Sequence, residues 1–181
     1  MMQAVQPGSL KVRHTVRGGA AILLLLPLIA MQFTTEVRWD GADFALFAAM
    51  LAAAAGAYEC LSARVENIAY RAAAGIAIVA AFLLIWANLA VGIVGSDNDP
   101  ANRLFYAPPV IGIIGALVAR FRAPGMAATL LAVAAAQLLC GGIALADAPQ
   151  PQYVVVVAVT IAFTALWVAS AALFRTAAAP R

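Results

Sequence analysis

Long runs without a charged residue, broken by short polar turns, set the pattern of this chain. Six runs stand out, at residues 18–35, 44–58, 72–96, 104–119, 123–146 and 148–174. Within them the apolar positions neither alternate, as in a barrel strand, nor keep to one helical face. Stretches such as "AAGIAIVAAFLLIWANLAVGIVG" are apolar all round. A bilayer core about 30 Å thick needs about 20 apolar residues per helix, and in lipid a helix satisfies its own backbone hydrogen bonds. The pattern predicts an all-α integral membrane bundle of six transmembrane helices.

The turn signals place these helices at about 18–35, 43–63, 68–95, 100–121, 124–146 and 152–174. Pro27 removes a backbone donor and bends helix 1. Trp39, in the first turn, sits where an interfacial aromatic is expected. Helix 2 is alanine-rich around Gly56, which suits close helix packing. Asn67 is a candidate N-cap for helix 3. Helix 4 carries Pro108-Pro109 and the Gly112/Gly115 pair, and helix 5 opens at Pro124. Residues 1–17 read as a polar, basic tail, 18–175 as one transmembrane domain and 176–181 as a short C-terminal tail. Split three plus three, the halves would each open on a proline-interrupted helix, an arrangement found around transporter sites. Proline is also frequent in membrane helices generally, which is the simpler account.

Composition agrees: 65% of the 181 residues are hydrophobic and 10% charged, and mean hydropathy is +0.96. A net charge of +3 could suggest nucleic acid, but its distribution argues otherwise. Lys11, Arg13, Arg17, Arg64, Arg71, Arg120, Arg122, Arg175 and Arg181 fall at the two ends and in every second turn. Short basic loops stay cytoplasmic, so both termini are expected inside, in agreement with six crossings. Glu36, Asp40, Asp43, Asp97, Asp99 and Asp147 all fall in the opposite turns, which makes the outer face acidic. The basic start and apolar middle of helix 1 also resemble a secretory signal, yet "PLIAMQF" lacks the small-residue pair that cleavage needs. The expectation is an uncleaved protein of a bacterial inner membrane with no nucleic-acid partner.

Candidate chemistry is sparse. His14 is the one histidine, so the chain cannot by itself supply bis-histidine haem ligation. Cys60 and Cys140 are expected near opposite ends of their helices, each as a small hydrophobe. There is no G-x-S-x-G, H-E-x-x-H or Walker sequence. Inside the membrane, Glu59 is expected to snorkel or to pair with Arg64 or Arg71. Asn88 and Gln137 are candidates for interhelical hydrogen bonds or for lining a path, and Thr160 and Thr164 also lie deep.

The densest polar stretch is "GSDNDPANR", between helices 3 and 4. Asp99-Pro100 reads as a helix start, with aspartate as N-cap and proline at the first helical position. Gly95 can end helix 3. Asp97, Asn98, Asn102 and Arg103 remain without a local explanation. Calcium or magnesium would accept such oxygens, but the EF-hand pattern fails, because Ala101 stands at its fifth position and no glycine at its sixth. A cation would need further donors from Glu36, Asp40, Asp43 or Asp147. Arg38 and Arg103 can instead neutralise these acids in a lid of ion pairs, and that is the reading taken. No cofactor is expected.

With "FTTEVRWDGADF", "NIAYRAA", "WANLAVGIVGSDNDPANRLFY" and "ARFRAPGMA" in order, the chain resembles a group of small bacterial multi-pass inner-membrane proteins described only as hypothetical membrane proteins. The resemblance covers roughly residues 22–130 and is most specific in "NLAVGIVGSDNDPAN". The group's order is nearer Glu-Asp-Asn-Pro where this chain has Asp-Asn-Asp-Pro. It implies a multi-helix membrane fold and a bacterial setting, and no activity. The functional expectation is a non-catalytic accessory or interaction module, working with a membrane-protein partner or as a homo-oligomer. A small transporter or channel for a cation or polar solute is the alternative, and a membrane enzyme acting on lipid-like substrates is the third.

Overall fold

A computed structural model describes residues 7–33, 38–63, 65–95, 99–147 and 152–179. The described residues are helical, with no strand: α1 (Pro7–Phe33), α2 (Gly41–Ser62), α3 (Ile68–Ala90), a 3-10 segment (Pro100–Tyr106), α4 (Ala107–Val118), α5 (Ala123–Asp147) and α6 (Tyr153–Ala178). Five helical spans are long and apolar enough to cross a bilayer, with the 3-10 segment and α4 counted as one, and α1 contributes a shorter apolar stretch, Ala21–Phe33. This is a multi-pass helical membrane architecture.

The helices cluster as two units, Met1–Arg64 with two helices and Val65–Arg181 with four. In the first unit α1 and α2 pair. Helix α1 begins at Pro7, so most of the stretch expected as a polar tail is helical. Proline suits a first helical position, where its missing N–H costs nothing, and beyond Gly8 in the first turn no glycine or proline follows until the tolerated Gly18-Gly19.

Helix α2 is started by a capping box. Asp40 Oδ1 accepts from the backbone N–H of Ala42 (2.7 Å) and Asp43 (3.0 Å), while the Asp40 N–H donates to Asp43 Oδ2 (2.9 Å). Trp39, just before the cap, stacks edge-on against Phe44 and Phe47 with centroids 5.1 and 5.3 Å away. Trp39 and Phe44 occupy the two positions of a hydrophobic staple, which fixes the angle at which the chain enters the helix.

The second unit is a four-helix bundle in which α6 packs against both α3 and α5, and α4 packs mainly against α5. Asn67 caps α3 by accepting from the Tyr70 N–H at 3.2 Å, and its amide donates to the Ala177 carbonyl near the end of α6. Tyr70 stacks edge-on with Phe174 and donates its hydroxyl to the Phe121 carbonyl at 2.7 Å. Ser170 donates to the Ala73 carbonyl at 2.7 Å. These links run α3 and α6 antiparallel.

Glycines set the spacing of the other seams. A Cβ on Gly115 would overlap Thr129, and one on Gly141 would overlap Thr160. Small residues allow this approach, which supplies the packing that lipid-embedded helices need.

Large aliphatic side chains point away from the bundle, among them Ile113, Ile114, Leu117 and Val118 of α4, Leu138 and Leu139 of α5, and Ile161 and Val168 of α6. The interior combines aliphatic residues such as Leu84, Leu130, Val133 and Val156 with alanines, aromatics and polar groups, including Gln137, Thr160 and Ser170. A water-soluble monomer rarely exposes so broad an apolar surface, whereas lipid covers it at no cost.

Three expected boundaries move for identifiable reasons. Helix α3 ends at Ala90 rather than near residue 95, because Gly92 already takes a left-handed φ of 70°. Helix 4 divides at its prolines. Pro108 and Pro109 have no N–H to offer the carbonyls of Leu104 and Phe105, so α-helical bonding cannot run through them. The preceding residues close as a 3-10 turn instead, with the Ala107 N–H bonded to the Leu104 carbonyl. Helix α6 runs on to Ala178, through residues expected to belong to the C-terminal tail.

Candidate functional site

The stretch between α3 and α4 is built around one side chain. Asn102 sits in the 3-10 segment and is 4% exposed. Its Oδ1 accepts from the backbone N–H of both Ile93 and Val94 at 2.8 Å, and its Nδ2 donates to the Val94 carbonyl at 3.1 Å. A single amide thus supplies the hydrogen bonds that a neighbouring strand would give this turn. Asn88, near the end of α3, adds a second tie by donating from Nδ2 to the Asn102 carbonyl at 2.8 Å. Buried backbone groups outside regular structure need such partners.

Asp99 performs the expected capping role. Its Oδ1 accepts from the Ala101 N–H at 2.9 Å, and its carbonyl accepts from the Asn102 N–H at 3.0 Å. The other carboxylate oxygen lies 2.5 Å from where a Gly95 Cβ would stand, and Gly95 has a φ of 61°. No other residue fits there without strain. Gly95 is also tied to the start of α6: its N–H donates to Gln152 Oε1 at 3.0 Å, and its carbonyl accepts from Gln152 Nε2 at 3.3 Å. Arg103 is exposed.

Of the polar residues singled out in the sequence, the structure joins Asn88, Asp99 and Asn102 in this turn, while Asp40 and Asp43 cap α2 in the other unit. Glu36, Asp97 and Asn98 lie outside the described residues, as does the side chain of Asp147. Arg38 is exposed and is not without an interaction partner. Among the described residues, no three His, Cys, Asp or Glu side chains gather as ligands for a metal.

Glu59 is half-buried in α2 and lines an apolar recess of about 380 Å³ with Ala21 and Leu24 of α1 and Ala48, Ala52, Ala55 and Gly56 of α2. Cys60 is exposed and Cys140 buried, both as free thiols.

A second polar group lies along the α5–α6 seam. Gln137 is fully buried, yet neither its Oε1 nor its Nε2 has a protein partner; the same holds for the hydroxyls of Thr160 and Thr164 and for Trp167 Nε1. Leaving a buried polar atom bare costs about 1–3 kcal/mol. Gln137 was legible as a deep polar residue, but its alignment with the α6 residues follows from the antiparallel register, for which no local signal exists.

No family profile, characterised protein or solved structure matches this chain.

Proposed function

We propose that the chain is a six-span accessory module of a bacterial inner membrane, with both termini cytoplasmic, that docks on a second membrane protein and performs no chemistry of its own. The observation that supports this reading most is the use made of the polar side chains. Asp40 and Asp43 cap a helix, Asp99 caps another, and Asn88, Asn102 and Gln152 tie down a turn. These carboxylates and amides of the caps and the α3–α4 turn are engaged in holding the fold.

The sixth crossing is α1, whose apolar stretch follows the basic residues Lys11, Arg13 and Arg17. Its short span is met by local thinning of the bilayer and by snorkelling of flanking residues. Docking is assigned to the small-residue face of α2 around Ala52, Ala55 and Gly56. A side chain built on Gly56 meets nothing within 4 Å, so this position is free to receive a partner helix at close range.

Complementation of a deletion strain tests the reading. Asp97→Ala and Asp99→Ala restore growth, whereas Gly56→Leu folds normally and does not. Loss of rescue by the two aspartate variants, with fold and amount unchanged, would assign the turn a chemical role and overturn the proposal.

A further inference from the structure

The buried face of α6 is its polar face. Thr160, Thr164, Trp167 and Ser170 recur at steps of three and four residues, which places them on one side of the helix, and that side is turned into the four-helix unit. Ser170 is satisfied by the Ala73 carbonyl. The other three have a polar atom without a protein partner, and so does Gln137 at both ends of its amide.

The register brings them together. Gly141 faces Thr160 so closely that a Cβ would overlap its side chain. The helices are antiparallel, so one turn back along α5 stands Gln137, level with Thr164 one turn on along α6; a further turn brings the level of Trp167. Buried polar atoms in native proteins are almost always satisfied, and in an apolar surround a bare amide is especially costly. Gln137 of α5 and three residues of α6 thus carry bare polar atoms at neighbouring levels of one seam.

We infer that the α5–α6 seam is a binding site for a small neutral hydrogen-bonding molecule, of which water is the smallest member and a urea-like solute a larger one. The donor set defines the class. Gln137 and both threonines can donate and accept, while the Trp167 indole only donates. A bare cation would find no carboxylate among these four side chains, and an anion would find no positive charge. A guest that both donates and accepts satisfies all of them. The site lies within the second unit and does not depend on the docking face of α2.

Nuclear magnetic resonance on the full chain in nanodiscs tests this, with Trp39→Phe and Trp86→Phe leaving Trp167 as the single, ¹⁵N-labelled indole. The expected result is a direct dipolar contact between the Trp167 indole N–H and water, or a saturable shift of that resonance on adding urea as the probe. Water contact alone identifies water as the guest; a saturable urea shift identifies a solute site. Gln137→Met, similar in volume but without the amide, should remove the contact or weaken urea binding at least tenfold. An indole N–H in the parent protein with neither water contact nor urea response would overturn the inference, whether or not Gln137→Met folds. So would a Gln137→Met protein that is more heat-stable than the parent with an unshifted indole resonance.

Discussion

Replacing Asn102 by alanine isolates the hydrogen-bonded centre of the α3–α4 turn. The substitution deletes three side-chain hydrogen bonds and leaves the N–H groups of Ile93 and Val94 and the Val94 carbonyl without those partners. At about 1 kcal/mol per net hydrogen bond the floor is about 3 kcal/mol, and orphaned buried groups raise the cost toward about 5 kcal/mol. Against a total stability of about 5–15 kcal/mol that is a large fraction. Reversible unfolding in mixed micelles of SDS and a mild detergent, followed by tryptophan fluorescence, measures the change. Arg103→Ala, at the exposed neighbouring position, is the control and should move stability by no more than about 0.5 kcal/mol. A loss below about 1 kcal/mol for Asn102→Ala, or a loss equal to the control's, would mean that the Asn102 amide does not hold the turn.

Adjacent glycines of α5 should respond in opposite ways. Gly141→Ala meets Thr160 and costs about 1–3 kcal/mol, whereas Gly142→Ala enters open space and is neutral or stabilising by up to about 1 kcal/mol; pairing Gly141→Ala with Thr160→Ala recovers most of the loss in the same unfolding assay. Ser170→Ala removes the tie between α6 and α3 and should cost about 1 kcal/mol. Cys60 should react with a membrane-impermeant maleimide applied from the cytoplasmic side, while buried Cys140 does not, as read by a mass shift. Millimolar calcium or magnesium should leave the unfolding midpoint unchanged; a saturable rise abolished by Asp99→Ala would assign the acids of the turn to a cation.

What could be read from the chain itself was whatever depends on near neighbours. The apolar runs give the long helices, Asn67 and Asp99-Pro100 act as the caps their residue types imply, and the proline pair breaks helix 4 through its missing donors. The clamp at Asn102 was not legible. Its partners lie eight and nine residues back, and they meet it only because Gly92 ends α3 early and the prolines force a 3-10 turn. Deep asparagine and glutamine were visible as candidates, but their fates diverge for tertiary reasons: Asn88 reaches the Asn102 carbonyl, whereas Gln137 faces α6 with no protein partner. The lid of ion pairs expected on the outer face rests in part on Glu36 and Asp97, which lie outside the described residues. The acids of that set with described contacts, Asp40, Asp43 and Asp99, bond to backbone N–H groups.

If this chain works as a docked module, the mass of the particle that carries it shows the partner. Extracted from its native membrane in mild detergent, the 18.6 kDa chain should run in a larger particle containing a second polypeptide at fixed stoichiometry, and Gly56→Leu should release it. A homogeneous particle holding one copy of the chain, or copies of this chain alone, would rule out docking on a second membrane protein.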